Sequence, residues 1–100
     1  MNATISNNGT ETIVALDGRL DTTNVADFEQ QIASLYTLPQ PFIVFDCTSF
    51  TYISSSGLRI FLTLLKYTGK MKGRLVLRHL SPEIKSVFDM TGFTDMFTIE

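Results

Sequence analysis

A chain of 100 residues is long enough to bury roughly two thirds of its unfolded surface and so to build an ordinary core without staples. Hydrophobic residues at 44% and charged residues at 18% exclude a disordered chain, and a single cysteine, Cys47, excludes an internal disulfide or a thiolate metal cluster. The net charge of −2 conceals an asymmetry, six acids and one base up to Leu58 and then seven bases and one acid from Arg59 to Lys85; with an acidic pI, this reads as solvated faces rather than a nucleic-acid footprint.

The first segments, "ATIS", "NNG" and "TIVALDG", predict a β-hairpin with Asn8 and Gly9 in its turn, because both residues tolerate positive φ. After "GRLD", apolar residues at Val25, Phe28, Ile32, Leu35 and Tyr36 keep spacings of three and four. That spacing predicts an amphipathic helix over 24–36, capped by Thr23 or Asn24 with Asp27 in its first turn. Pro39 and Pro41 end the region, and "FIVFD" (42–46) follows as an unbroken apolar strand. Lacking alternation, it is expected to be covered on both faces.

"CTSFTYISSS" then reads as a loop leading into a second helix, with an apolar stripe of Leu58, Phe61, Leu62 and Leu65 and a stop at Gly69. "GRLVLRH" (73–79) is the next strand. A third helix has Ser81 as cap, Pro82 in the first turn, Ile84, Val87 and Phe88 inward, and Gly92 at its end. The last residues, "MFTIE", add a short strand or pack against the sheet.

The order β, β, α, β, α, β, α predicts an α/β fold in one domain over 1–100: a small mixed sheet of four to five strands, an antiparallel edge hairpin followed by parallel βα units, flanked by helices. Function in such sheets gathers where strands end and helices begin. Two loops lie there, "DGRLDTT" and "DCTSFTYISSS".

The second loop ends in three serines, Ser54, Ser55 and Ser56, directly before Gly57. One serine oxygen suffices to cap a helix, which is one reading. The other is a phosphate site, since a helix start offers free amides and a positive dipole end. Nucleophilic catalysis requires a base, and the only histidine, His79, sits at a strand end with no pattern linking it to the serines. "SSSGL" also lacks the leading glycine of a hydrolase elbow, and no glycine-rich nucleotide loop occurs. Asp21 and Asp46 come from separate loops and are read as loop caps or partner contacts, and Cys47 as a small buried hydrophobe.

"GRLDTTNVADFEQQI", "DCTSFTYISSSGLRIFL" and "SPEIKSVFDMTGF" together resemble the STAS domain, and in particular the bacterial anti-sigma factor antagonists. With no signal peptide and no apolar run near 20 residues long, the chain is expected in the cytoplasm, bound neither to nucleic acid nor into membranes; no catalytic residue, metal or cofactor is expected, and the chain is expected to be a monomer or weak dimer. The partners that the resemblance implies are an anti-sigma factor that is also a GHKL-type serine kinase and a phosphatase of the PP2C type. Matched on Gly57 and Leu58, the phosphorylated position is Ser55, with Ser56 a secondary candidate and Ser54 in a place where the family usually carries aspartate. The implied partner surface comprises Asp21, Thr22, Asp46, Ser54, Ser55, Ser56, Gly57, Leu58 and Arg59. The competing expectation is a STAS docking module that is never phosphorylated, such as the helper subunit of a lipid ABC transporter or a stress-signalling scaffold.

Overall fold

A hairpin opens the chain, β1 (Asn2–Asn8) running antiparallel to β2 (Glu11–Leu20). Asn8 faces Glu11 across the ladder, so the turn residues are Gly9 and Thr10 rather than Asn8 and Gly9; Gly9 takes the left-handed φ of +65° that the turn requires. In the computed structural model, which describes residues 1–100, β3 (Phe42–Ile53), β4 (Arg74–Arg78) and β5 (Thr98–Ile99) complete a five-stranded sheet in the order β1-β2-β3-β4-β5. All pairings after the hairpin are parallel, and "MFTIE" supplies the fifth strand. The predicted mixed α/β sheet is the one found.

Three helices, α1 (Val25–Gln31), α2 (Ser55–Lys70) and α3 (Pro82–Met90), lie on one face of the sheet. Phe61 of α2 joins them, its ring 4.9 Å from Phe45 of β3, 6.3 Å from Phe28 of α1 and 6.2 Å from Phe88 of α3. The strand residues in the same core, among them Val14, Leu16, Ile43, Phe45, Leu75 and Leu77, share one side of the pleat.

No helix covers the other face, contrary to the expectation from "FIVFD". Val44 and Val76 are nevertheless only 0% and 1% exposed. Charged side chains meet on that face: Arg78 reaches across from β4 to Glu11 of β2 (3.5 Å), and its Nε donates to Glu100 Oε1 at 2.8 Å. Arg78 shares its side of the pleat with Val76, and a long side chain on such a path can cover apolar neighbours with its stem while its charged head stays in water.

Other departures have local causes. The helix expected over 24–36 gives way after Gln31 to a 3-10 turn, Ala33–Thr37, that ends in extended Leu38. Pro39 disfavours a helical conformation at Leu38, and a 3-10 segment is a common last turn. The expected loop at 47–53 is instead strand. Register shifts between Ala15 and Asp17 and between Gly18 and Arg19 of β2 break the alternation, so β3 buries Cys47, Phe50 and Ile53, every third residue. That spacing hides a strand from a period-two search.

In α2 the buried stripe is Leu58, Phe61, Leu64 and Thr68, with Leu62 and Leu65 only partly covered. The helix also passes through Gly69, the predicted stop, and ends beyond it, where Lys72 adopts φ +58° and Gly73 N–H donates to Thr68 O at 2.7 Å. Gly73 is there for contact, since a Cβ on it would lie 1.9 Å from the carbonyl oxygen of Pro41. By contrast α3 follows its sequence signals: Ser81 Oγ accepts from Ile84 N–H at 3.2 Å, and Gly92 closes the helix with φ +78°.

The sheet narrows toward one end. Asp46 is the last β3 residue paired with β4, so from Cys47 to Ile53 its only strand neighbour is β2.

Candidate functional site

The ends of β2 and β3 are tied by Ser54 N–H donating to Leu20 O at 2.9 Å, and α2 starts from that knot. Ser54 is the cap, its Oγ accepting from Gly57 N–H at 3.2 Å. A second hydrogen bond, 2.9 Å long, joins its hydroxyl to that of Ser56. Both serines are half-buried, whereas Ser55 is exposed and its hydroxyl takes part in no hydrogen bond. The three hydroxyls are therefore inequivalent: two are held by each other and the cap, and one is free.

Gly57 allows this close start. A Cβ on it would lie 2.8 Å from Leu20 Cδ2 and 3.0 Å from Ile53 Cγ1. Gly57 and Leu58, expected on the partner surface, are both buried. They brace the serines from beneath and present no contact surface.

Asp21 follows directly on β2. Its Oδ1 accepts from Thr23 N–H at 2.9 Å and from the Thr23 hydroxyl at 2.5 Å, while its own N–H donates to Asn24 Oδ1 at 3.0 Å. These Thr23 hydrogen bonds, with the charge of Arg19 nearby, hold the Asp21 carboxyl below its ordinary pKa. Asn24 occupies the cap position of α1 but caps nothing; its side chain turns back to bond Asp21 N–H and Arg19 O instead. Thr22 is exposed at the loop tip.

Two surface features at this end escaped the sequence reading. Arg19 stacks over the Tyr52 ring at 4.3 Å, leaving Tyr52 41% exposed in the strand that leads to the serines. Beside Ser56, an open groove of about 230 Å³ runs between α1 and α2, lined by Val25, Glu29, Tyr36, Arg59, Ile60 and Thr63. The parity of Tyr52, opposite that of buried Ile53, was the available signal for the first. The groove depends on how two helices cross, which no motif records.

Asp46 does not join the group. Eight positions of extended chain separate it from Ser54, roughly 20 Å or more at strand rise, so its predicted place beside the serines is corrected. Its carboxylate accepts from Thr48 N–H and hydroxyl at 3.1 and 2.6 Å, and these bonds lower its pKa, with His79 and Arg78 adding to the effect. His79, exposed and left-handed at φ +61°, stands by Asp46 and away from the serines. Cys47 is buried as expected, its thiol pushed up to about 12 mainly by desolvation.

The start of α2 therefore presents one exposed, unbonded hydroxyl among loop and groove residues, a surface suited to a partner. The chain belongs to the STAS domain family, whose model matches residues 2–100, and within it to the anti-sigma factor antagonists. It is 32% identical over 87 residues to BtrV of Bordetella bronchiseptica, a protein named as an anti-sigma factor antagonist, covering 87% of this chain and 75% of BtrV. Among solved structures, an anti-sigma factor antagonist of Mycobacterium paratuberculosis superposes with a TM-score of 0.86 at 20% identity, covering 98% of this chain and 83% of that one. The phosphorylated form of SpoIIAA, a Bacillus cell fate determinant, gives a TM-score of 0.73 at 19% identity, covering 99% and 91%. No helix is long and apolar enough to cross a membrane.

Proposed function

We propose that this protein is an anti-sigma factor antagonist that binds a GHKL-type anti-sigma serine kinase, and that phosphorylation of Ser55 ends the binding until a PP2C-type phosphatase restores it. The observation that carries the reading is the inequivalence of the three serines. Only Ser55 offers an exposed, unbonded hydroxyl to a kinase, and it does so from the first turn of α2. Ser54, in the place usually held by aspartate, supplies the cap in its stead. SpoIIAA, a structural neighbour solved in a phosphorylated form, supports the same chemistry.

A phosphate on Ser55 adds about 1.5 to 2 negative charges at neutral pH. The N–H groups of Ser55 and Ser56 carry no partner at the positive end of the helix, so α2 tolerates that charge. The partner does not: the charge enters a surface already containing Asp21 and, across the groove, Glu29, where desolvation and repulsion disfavour docking. Arg59, Thr22 and the Arg19–Tyr52 pair provide the rest of the contact surface. Binding is lost with the fold intact.

Mass spectrometry after incubation with ATP and the kinase encoded beside its gene tests the reading. Expected is a single phosphate on Ser55, absent from Ser55→Ala, which still binds the kinase; Ser55→Asp keeps its circular dichroism and binds at least tenfold more weakly. Phosphate chiefly on Ser54 or Ser56 overturns the assignment. Unmodified protein with unchanged binding by Ser55→Asp establishes instead the docking module that is never phosphorylated.

A further inference from the structure

β1 is an edge strand, paired with β2 alone. In a hairpin closed by the Asn8–Glu11 pair, Asn2, Thr4, Ser6 and Asn8 turn their backbone groups toward β2, and Met1, Ala3, Ile5 and Asn7 turn theirs outward. The first outward pair is already taken. Gln31 of α1 accepts from Ala3 N–H at 2.8 Å and donates to Met1 O at 3.0 Å, standing where a neighbouring strand would stand; Asp27 holds the same amide nitrogen at 2.8 Å. Past this plug the N–H and C=O groups of Ile5 and Asn7 have no partner.

That open window carries none of the usual protection of a strand edge. β1 reads "NATISNN", with no charged residue and no proline, and its exposed side chains there are the neutral Ser6 and Asn7. Its outward groups are also self-complementary. Two antiparallel copies related by a two-fold axis at Ser6 set Ile5 of each opposite Asn7 of the other. Each such pair exchanges two N–H to O=C bonds, and no like charges meet.

We propose that a second copy of this chain docks here, β1 against β1, making one continuous ten-stranded sheet. Gln31 sets the register: an axis at Ile5 would set a partner strand residue, Asn7, opposite Ala3 and into the Gln31 amide, whereas an axis at Ser6 sets the partner's turn residue Gly9 there, which has no side chain and already curves away toward its own β2. The dimer is weak, since the window is short, and it leaves the Ser55 end of each copy free, because Ile5 and Asn7 lie beside Val14 and Thr12 near the start of β2, whereas Ser54 is tied to Leu20 at its other end.

Ser6→Cys tests both the pairing and the register. Directly opposed, non-hydrogen-bonded residues are the strand positions at which a disulfide closes best, so Ser6→Cys is expected to give a covalent dimer with oxidised glutathione, while Thr4→Cys gives at least fivefold less. Buried Cys47 does not compete. In sedimentation velocity the unmodified chain is expected to shift toward dimer with concentration, and Ser6→Lys, on the exposed pleat and harmless to the fold, to abolish the shift. A sedimentation coefficient independent of concentration up to the solubility limit overturns the proposal, as does equal crosslinking at Thr4 and Ser6.

Discussion

Single residues divide the serine cluster in a way that residue type could not. The run "SSSGL" announces a helix start and three chemically identical hydroxyls; which one is free follows from a 2.9 Å bond between Ser54 and Ser56. Gly57 was legible as part of the motif, but its purpose, room for Leu20 and Ile53, required a neighbouring strand. Asp21 and Asp46 looked alike in sequence and differ in place. Both carboxyls lie below the ordinary value of 3.8, each chiefly through hydrogen bonds from the threonine two residues on. The folded state therefore binds their protons more weakly than the unfolded chain does, and the stability they add is complete above about pH 4 and lost as pH falls through the lowered folded values. Asp21→Asn is expected to flatten the acid limb of a Tm-against-pH profile while leaving the slope that Asp46 contributes. A limb as steep as that of the unsubstituted chain rejects the assignment.

Elements with strong punctuation were read correctly and those with weak punctuation were not. α3 has a serine cap, a first-turn proline and a closing glycine, and all three occupy the expected places. The segment at 24–36 has an apolar stripe but no working cap at either end, and the downstream proline rather than the stripe decides where it stops. β3 was recognised only where its residues are apolar without interruption; its outer half, disguised by bulges, passed for a loop. At the end of α2 the sequence predicts a stop at Gly69, yet the left-handed residue is Lys72. A non-glycine residue in that conformation costs about 1–2 kcal/mol, and replacing it with glycine returns roughly 0.5–1 kcal/mol of that to unfolded-chain entropy. Lys72→Gly is accordingly expected to stabilise the protein by about 0.5–1 kcal/mol in urea titrations, with an unchanged m-value. A lower midpoint would show that the lysine side chain contributes more than its backbone costs.

Across the whole molecule, three helices pack on one face of a five-stranded sheet and an ion-pair cluster, Glu11–Arg78–Glu100, spans the other. The second half of that arrangement was illegible, because the Glu11–Arg78–Glu100 contacts join residues far apart in sequence and depend on strand order. If the Arg78 stem shields Val44 and Val76, then Arg78→Ala lowers the urea midpoint more than Arg78→Met, which keeps a stem and loses the charge. Equal losses would assign the effect to the partly exposed ion pairs, which are worth little. The narrowing of the sheet past Asp46 has a consequence of a different kind. A five-strand base grades into a two-strand mast, so amide-exchange protection should decay along β3 from Val44 toward Ile53, and the end that carries the proposed Ser55 switch is the part least invested in cooperative unfolding. The base keeps the protein folded, and the mast can be altered, covered or uncovered at little expense to it.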